Sequence, residues 1–265
     1  MKRRPMTVPT GLKPTSEPLT GTATPRVSWR DLDGQFRSEI ASPGLLHEHL
    51  ETARAFRSGV QYQNRRNRHS RQFVIPQRSH VWCESALEAD ALLVLEFEGD
   101  TQQIASQPMK LVFADGTDHV PDFFALLRSG DQVVYDVKPS GRMTAEATDQ
   151  FRKTAELCAS VGWKHRVLND PHPTTIQNLH FIRPARHDHY HPSPKEFRRI
   201  REVFASGVPF SDGTIMADLK HPNRAAAHVR HLLWHRHLDA DLTVPVSPTS
   251  VLHTIRNEKP CNCGA

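Results

Sequence analysis

The chain has 265 residues and a mass of 30.0 kDa, enough for one large domain or two small ones, each with its own core. Lys and Arg outnumber Asp and Glu by 34 to 29, a formal charge of +5 with 17 His besides, which suits a polyanionic partner. No apolar run of roughly 18 residues occurs, which excludes a transmembrane helix. The basic start, Met1 to Pro5, lacks the apolar stretch of a secretory signal, so a cytoplasmic location is expected. Four cysteines (Cys83, Cys158, Cys261, Cys263) make no disulfide framework at this size.

Residues 1–34 are predicted to be a disordered basic arm, rich in Thr, Pro and Ser and poor in periodic hydrophobicity. Between 54 and 80 lies the densest positive segment, with Arg65, Arg66, Arg68 and Arg71 and no acid after Glu51. Arg forms charge-assisted, often bidentate bonds to phosphate, so these residues are DNA-contact candidates, although a solvated loop explains them nearly as well.

Leu87, Ala91, Leu92 and Leu95 recur at helical spacing behind a Ser85 cap, which predicts a helix over 85–97. Short strands are expected at 104–108, 109–113, 119–127 and 133–138, with turns at Asp115-Gly116 and Gly130-Asp131. An amphipathic helix over 144–161, a strand over 163–168 and a helix over 174–179 complete a mixed α/β domain spanning 35–183.

Residues 184–194 read as an interdomain linker. Helices at 195–205, 214–219 and 222–236, followed by β character to residue 255, predict a small winged-helix-like α+β domain over 195–257, with a tail at 258–265. Arg224 and Arg230, on the last helix with His231 and His235, are further phosphate-contact candidates. His187-x-His189-x-His191 and Cys261-x-Cys263 are sparse zinc motifs without a second ligand pair.

Pro121-Asp122 on one strand, Asp136-Val137-Lys138 on the next and Glu88 on the upstream helix carry the chemistry. Asp136 and Lys138 share a strand face about 7 Å apart, and Asp122 can join them from the adjoining strand. Converging carboxylates are costly without a cation, and an oxygen-rich pair suits Mg²⁺. Lys138 can orient the attacking water and offset charge on a pentacovalent phosphate. Each element also has a plain explanation, such as a capping box for Ser85 and Glu88. Glu84, four residues from Glu88 on the same helix face, is its rival as a ligand.

The pattern Glu88, Pro121-Asp122, Asp136-x-Lys138 resembles the PD-(D/E)xK nuclease superfamily. Within it, Glu84-Ser-Ala-Leu-Glu88, Ser106-Gln107-Pro108, Val120-Pro-Asp-Phe-Phe124 and Tyr135-Asp-Val-Lys-Pro139 are similar to TnsA-like endonuclease subunits of heteromeric transposases, over about residues 55–182. The stretch Val229 to Thr243 is similar to the C-terminal part of such proteins. The resemblance implies a restriction-endonuclease-like mixed sheet flanked by helices. It implies cutting of the 5′ strand of double-stranded DNA at transposon ends with Mg²⁺, or Mn²⁺ in its place, to leave 5′-phosphate and 3′-hydroxyl. The implied partners are a TnsB-like DDE transposase and a TnsC-like AAA+ regulator.

On matching positions, Glu88, Asp122 and Asp136 become metal ligands, the Val137 carbonyl adds an oxygen, and Lys138 is the catalytic lysine. Some relatives carry Gln in place of Asp136. Gln107 borders the site or simply bonds a strand edge. No Gly-rich phosphate loop is present, so no nucleotide cofactor is expected. Two other readings use the same residues: a stand-alone repair or restriction nuclease, and a catalytically silent DNA-binding regulator, against which the intact acids and lysine speak.

Overall fold

The computed structural model describes residues 23–56 and 69–255. β1 (Arg26–Arg30) and β2 (Phe36–Ile40) pair as an antiparallel hairpin, followed by 3-10 turns at Pro43–His47 and Leu50–Thr52. A second hairpin, β3 (Ser70–Val74) and β4 (Ser79–Cys83), precedes α1 (Ala86–Glu98). Then come β5 (Thr101–Ser106), β6 (Met109–Val112), β7 (Asp118–His119), β8 (Phe123–Leu127) and β9 (Gln132–Val137). α2 (Ala145–Val161) crosses to β10 (Lys164–Leu168), which runs parallel to β9 as a helical crossover allows. α3 (Pro173–Ile182), α4 (Pro194–Val203), β11 (Val208–Pro209), α5 (Phe210–Ala217), α6 (Pro222–Trp234), β12 (Leu238–Asp239) and β13 (Val251–Thr254) complete the chain. The protein is a mixed α/β fold. Among the described residues no helix is long and apolar enough to cross a membrane.

The central sheet has the order β10-β9-β8-β5 and an outer sheet the order β2-β1-β6-β7. Alternation along β8 and β9 sends Phe124 and Val134 to one face and Phe123, Ala125, Val133 and Tyr135 to the other. On the first face they meet the outer sheet through Val27, Trp29, Met109 and Leu111, and α2 through Leu157 and Val161. On the second they meet Leu92 and Leu95 of α1 and Val74, Val81 and Cys83 of the β3–β4 hairpin. α1 buries apolar side chains on more than one side, and Leu93 packs into a third core with Leu179, Ile182, Ile200, Phe204, Leu232 and Trp234. α1 and α2 stop at a left-handed glycine, Gly99 with φ 73° and Gly162 with φ 99°, a conformation without steric cost only for that residue.

The structure corrects four expectations. Of the predicted arm, 1–22 lies outside the described residues, but Arg26–Arg30 is a strand, because Val27 and Trp29 alternate into the core while Arg26 and Arg30 face out. The 54–80 segment is not simply a solvated loop: its second half is the β3–β4 hairpin. The single strand expected at 119–127 is broken, because Pro121 has no amide to continue a ladder; β7 belongs to the outer sheet and β8 to the central one. Finally, 184–194 is not a loose linker. It forms 3-10 turns at Arg183–Arg186 and Asp188–Tyr190, with Ala185 and Arg186 buried, and the third core continues across it, from α1 and α3 into α4 and α6.

Candidate active site

The candidate site grows from two places where the chain leaves one sheet for the other, after β5 and before β8. Both contain a proline, Pro108 and Pro121, which ends the ladder. Between them the Gln107 amide donates to the Asp122 carbonyl at 2.9 Å, and the Gln107 carbonyl accepts from the Phe56 amide at 2.6 Å. Gln107 is 2% exposed and holds φ +46°, a left-handed conformation that a non-glycine residue adopts only when its surroundings impose it. Its Oε1 and the Ser106 hydroxyl are buried without a partner among the described residues. Gln107 thus borders Asp122 through its backbone.

Asp122 keeps some surface as a residue, but its carboxyl is enclosed, and its Oδ2 accepts the Val137 amide at 2.7 Å. Burial first, then the nearby charges of Glu88, Asp136 and Glu84, push its pKa up to about 8. The neutral form of Asp122 is thereby favoured, chiefly by burial.

Glu88 occupies the first turn of α1, where Ser85 caps the helix by accepting the Glu88 amide at 3.1 Å. The Glu88 carboxylate reaches back, accepting the Glu84 amide on Oε2 at 2.7 Å and the Ser85 hydroxyl on Oε1 at 2.8 Å. Burial raises its pKa, while these bonds and the charge of His69 oppose the rise. Glu88 is thus both a cap and a buried acid beside Asp122. Glu84 gives its amide to this cap and adds its charge at Asp122.

Asp136 departs from the expected arrangement. Alternation on β9 turns it toward α2, where His119 of β7 donates Nε2–H to Oδ1 at 2.6 Å and His165 of β10 donates Nε2–H to Oδ2 at 2.9 Å. Gln150 of α2 bonds the Nδ1 of His119. Burial raises the Asp136 pKa, but the two ring bonds and their charges more than offset it and leave the carboxyl below its usual range. An ionised carboxylate only accepts, so both rings must be donors. Sequence reading missed His119 and His165, because only the pairing of three separate strands brings them to Asp136.

Lys138 follows β9 and donates its amide to the Leu168 carbonyl at 2.9 Å. Its ammonium makes no ion pair among the described residues. Val137 lies between, latched to Asp122 by its amide and paired with Leu168 of β10. Glu88, Asp122 and the start of the Val137-Lys138 segment therefore form one locality, with Gln107 at its edge. No three His, Cys, Asp or Glu side chains among the described residues converge to hold a metal ion. The donor set nevertheless fits Mg²⁺, which needs one or two carboxylates and otherwise keeps its waters: Asp122 and Glu88 offer such a pair of buried carboxyls.

The remaining candidates lie apart from this locality or outside the described residues. Arg65, Arg66, Arg68, Cys261 and Cys263 belong to the latter. Arg71 is on β3, its guanidinium 6.0 Å from the Trp82 ring. Arg224 is tied to Asp218 at 2.8 Å and Glu196 at 3.2 Å, and Arg230 lies over the Phe181 ring at 5.3 Å. His231 is not a surface cation. It is 1% exposed, bonded through Nδ1 to the Ala185 carbonyl at 2.8 Å, and burial with the charge of His235 pushes its pKa down to about 3. His235 bonds the Arg186 carbonyl at 3.0 Å. His187 and His189 stack on one another, with ring centroids 5.7 Å apart.

The sequence matches no protein-family model and none of the curated proteins.

Proposed function

We propose that the protein is a metal-dependent DNA endonuclease, the TnsA-like subunit of a heteromeric transposase, cutting the 5′ strand at transposon ends. The observation that carries this reading is that Asp122, latched to the Val137 amide at 2.7 Å and so one residue from Lys138, lies with the buried Glu88 carboxyl where the chain passes between the two sheets. A central mixed sheet with α1 on one face and α2 on the other agrees with a restriction-endonuclease-like fold. The order α4, β11, α5, α6, β12, β13, with sheet order β11-β13-β12, agrees with a winged helix.

In this reading Asp122 and Glu88 would hold Mg²⁺, which when bound polarises a phosphodiester oxygen and lowers the pKa of a water. Lys138 would offset the negative charge that grows on the non-bridging phosphate oxygens as the water attacks. Asp136 acts by position: His119 and His165 fix β9 from its α2 side, and with it the amide of Val137 that orients Asp122. A DDE transposase for the 3′ strand and an AAA+ regulator are the expected partners.

The test is nicking of a transposon-end duplex in Mg²⁺ by this protein with the transposase encoded beside it, compared with the same mixture carrying Asp122→Asn. Loss of 5′-strand cuts with 3′-strand cuts retained supports the reading; unchanged cutting of both strands defeats it. One observation favours the silent regulator instead: both Glu88 oxygens already serve the α1 cap. Duplex binding without any Mg²⁺- or Mn²⁺-dependent cutting by the complete mixture would select that alternative.

A further inference from the structure

The β3–β4 hairpin has two faces of opposite character. In its register Arg71 stands opposite Trp82 and Phe73 opposite His80, while Gln72 stands opposite Val81 and Ser70 opposite Cys83. Partnered residues share a face. Val74, Val81 and Cys83 form the inner one, packed on Leu92 and Leu95 of α1. The outer face carries Arg71, Phe73, His80 and Trp82, with His69 just ahead of β3. Arg71, His80 and His69 are exposed, and no acid occurs from 69 to 83.

Arg71 and the two imidazoles on this face are held in place by rings. His69 stacks on Trp82, with centroids 5.2 Å apart and planes 17° apart; the Arg71 guanidinium is 6.0 Å from the same ring; His80 meets Phe73 edge-on at 5.3 Å. The hairpin itself is clamped from behind. Glu96 accepts the Ile75 amide at 3.3 Å, Gln77 accepts the Ile104 amide at 2.7 Å, Arg183 donates to Gln72 at 3.0 Å, and Arg186 donates to the Phe73 carbonyl at 3.3 Å. One end of the ladder leads into the candidate site, since β4 ends at Cys83 and the next residue, Glu84, donates its amide to the Glu88 carboxylate at 2.7 Å.

We infer that the outer face of this hairpin is the surface that grips the phosphodiester backbone of the DNA strand led to Glu88 and Asp122. Charge complementarity selects the occupant: Arg71, with Arg78 exposed at the hairpin turn, and imidazole N–H donors interleaved with rings, free of acids, on a two-stranded platform fit a polyanion. Side chains already held by stacking lose less freedom on binding than free ones do. The bonds go to phosphate, so recognition by this face is independent of base sequence. The inference rests on the nuclease reading for its choice of DNA, but its test does not use cleavage.

The experiment measures affinity of the full-length protein for a fluorescein-labelled duplex of about 30 base pairs, without divalent metal, over a salt series. Wild type is compared with the double variant Arg71→Glu, His80→Glu and with Lys195→Glu, the same kind of charge change at an exposed position on α4. Both sets change exposed side chains, and a thermal melt checks the fold; if the reversal variant melts early, Arg71→Gln with His80→Gln replaces it. The expected result is an affinity loss on the order of tenfold or more for the hairpin variant, with little change for Lys195→Glu. The salt slope of the hairpin variant should be shallower by about 0.9 for each phosphate that the face no longer neutralises.

Equal loss in the hairpin variant and in Lys195→Glu, no loss in the hairpin variant, or no duplex binding by wild type at low salt overturns the inference. Hairpin-dependent binding by a protein that never cuts leaves this surface standing and removes the nuclease. Cutting by wild type with unimpaired binding by the hairpin variant does the reverse.

Discussion

The Val137 amide donates to the Asp122 carboxylate at 2.7 Å, tying the end of β9 to the residue just before β8. The bond lies where the pairing of Phe123 with Tyr135 stops. It is a latch between two strands whose far sides face different cores, and it gives Asp122 a structural task beside its proposed chemical one.

Asp122→Asn separates those tasks, because the amide oxygen still accepts from Val137 while the charge is gone. The folded pKa of about 8 lies above the ordinary value of 3.8, so the native state binds the extra proton between these limits. The stability this gives is present below about pH 4 and lost as pH rises through 8, without divalent metal. Thermal melts should therefore show wild type losing stability from pH 5 to 8 and Asp122→Asn losing less. Mg²⁺ should raise the wild-type melting temperature at pH 8 and leave that of the variant unchanged. Nicking should fall by at least about 100-fold, since changes even one shell further out cost up to that much.

Glu88 can be divided in the same manner. Glu88→Ala removes the carboxylate that accepts the Glu84 amide and the Ser85 hydroxyl, and should cost about 1 kcal/mol in urea denaturation. Glu88→Gln keeps an acceptor and should cost less. If the carboxylate is a metal ligand, both should be inactive despite their different stabilities; activity that follows stability would make Glu88 a cap only.

His231 on α6 and His237 just after it should make the protein acid-labile. Burial, with the charge of His235, holds His231 at about 3 and His237 at about 4, below the ordinary value of 6.5. The unfolded chain therefore binds protons that the folded one refuses, and stability present above pH 6.5 is lost as pH falls toward 4, by up to about 1.4 kcal/mol per pH unit for each neutral histidine. Melting temperatures across pH 7 to 4.5 should fall, and less steeply in His237→Gln.

Arg186 and Glu96 form a buried pair at 3.2 Å that joins the 183–186 turn to α1. Removing one partner strands the other charge, so Arg186→Met should destabilise by about 3 kcal/mol or more. The double variant Arg186→Met, Glu96→Gln should recover much of that loss in urea denaturation, since Gln still accepts the Ile75 amide that Glu96 holds.

The long elements were legible because one period dominated each. α1 and α2 had apolar spacing, and α1 the Ser85 cap, that the structure uses; Thr144 caps α2 in the same way. β1 was missed because only Val27 and Trp29 turn inward and prolines and charges surround them. The β3–β4 hairpin was hidden by its own outer face: Arg71, Arg78 and His80 read as a charge run, and the alternation of Val74, Val81 and Cys83 was too brief to outweigh it. At the candidate site, the acids could be named from spacing, but not which way Asp136 turns, since that depends on His119 and His165 from two other strands.

α1 serves three masters. Its first turn holds Glu88, one flank completes the central sheet, and the other lends Leu93, Val94 and Phe97 to the core shared with α4 and α6. A chain ending at residue 183 would leave those three side chains facing water and Glu96 without Arg186. The acidic end of the helix is thus wedded to a C-terminal half that never approaches it in sequence, and trimming the protein to its apparent chemistry would unsettle the helix that carries it.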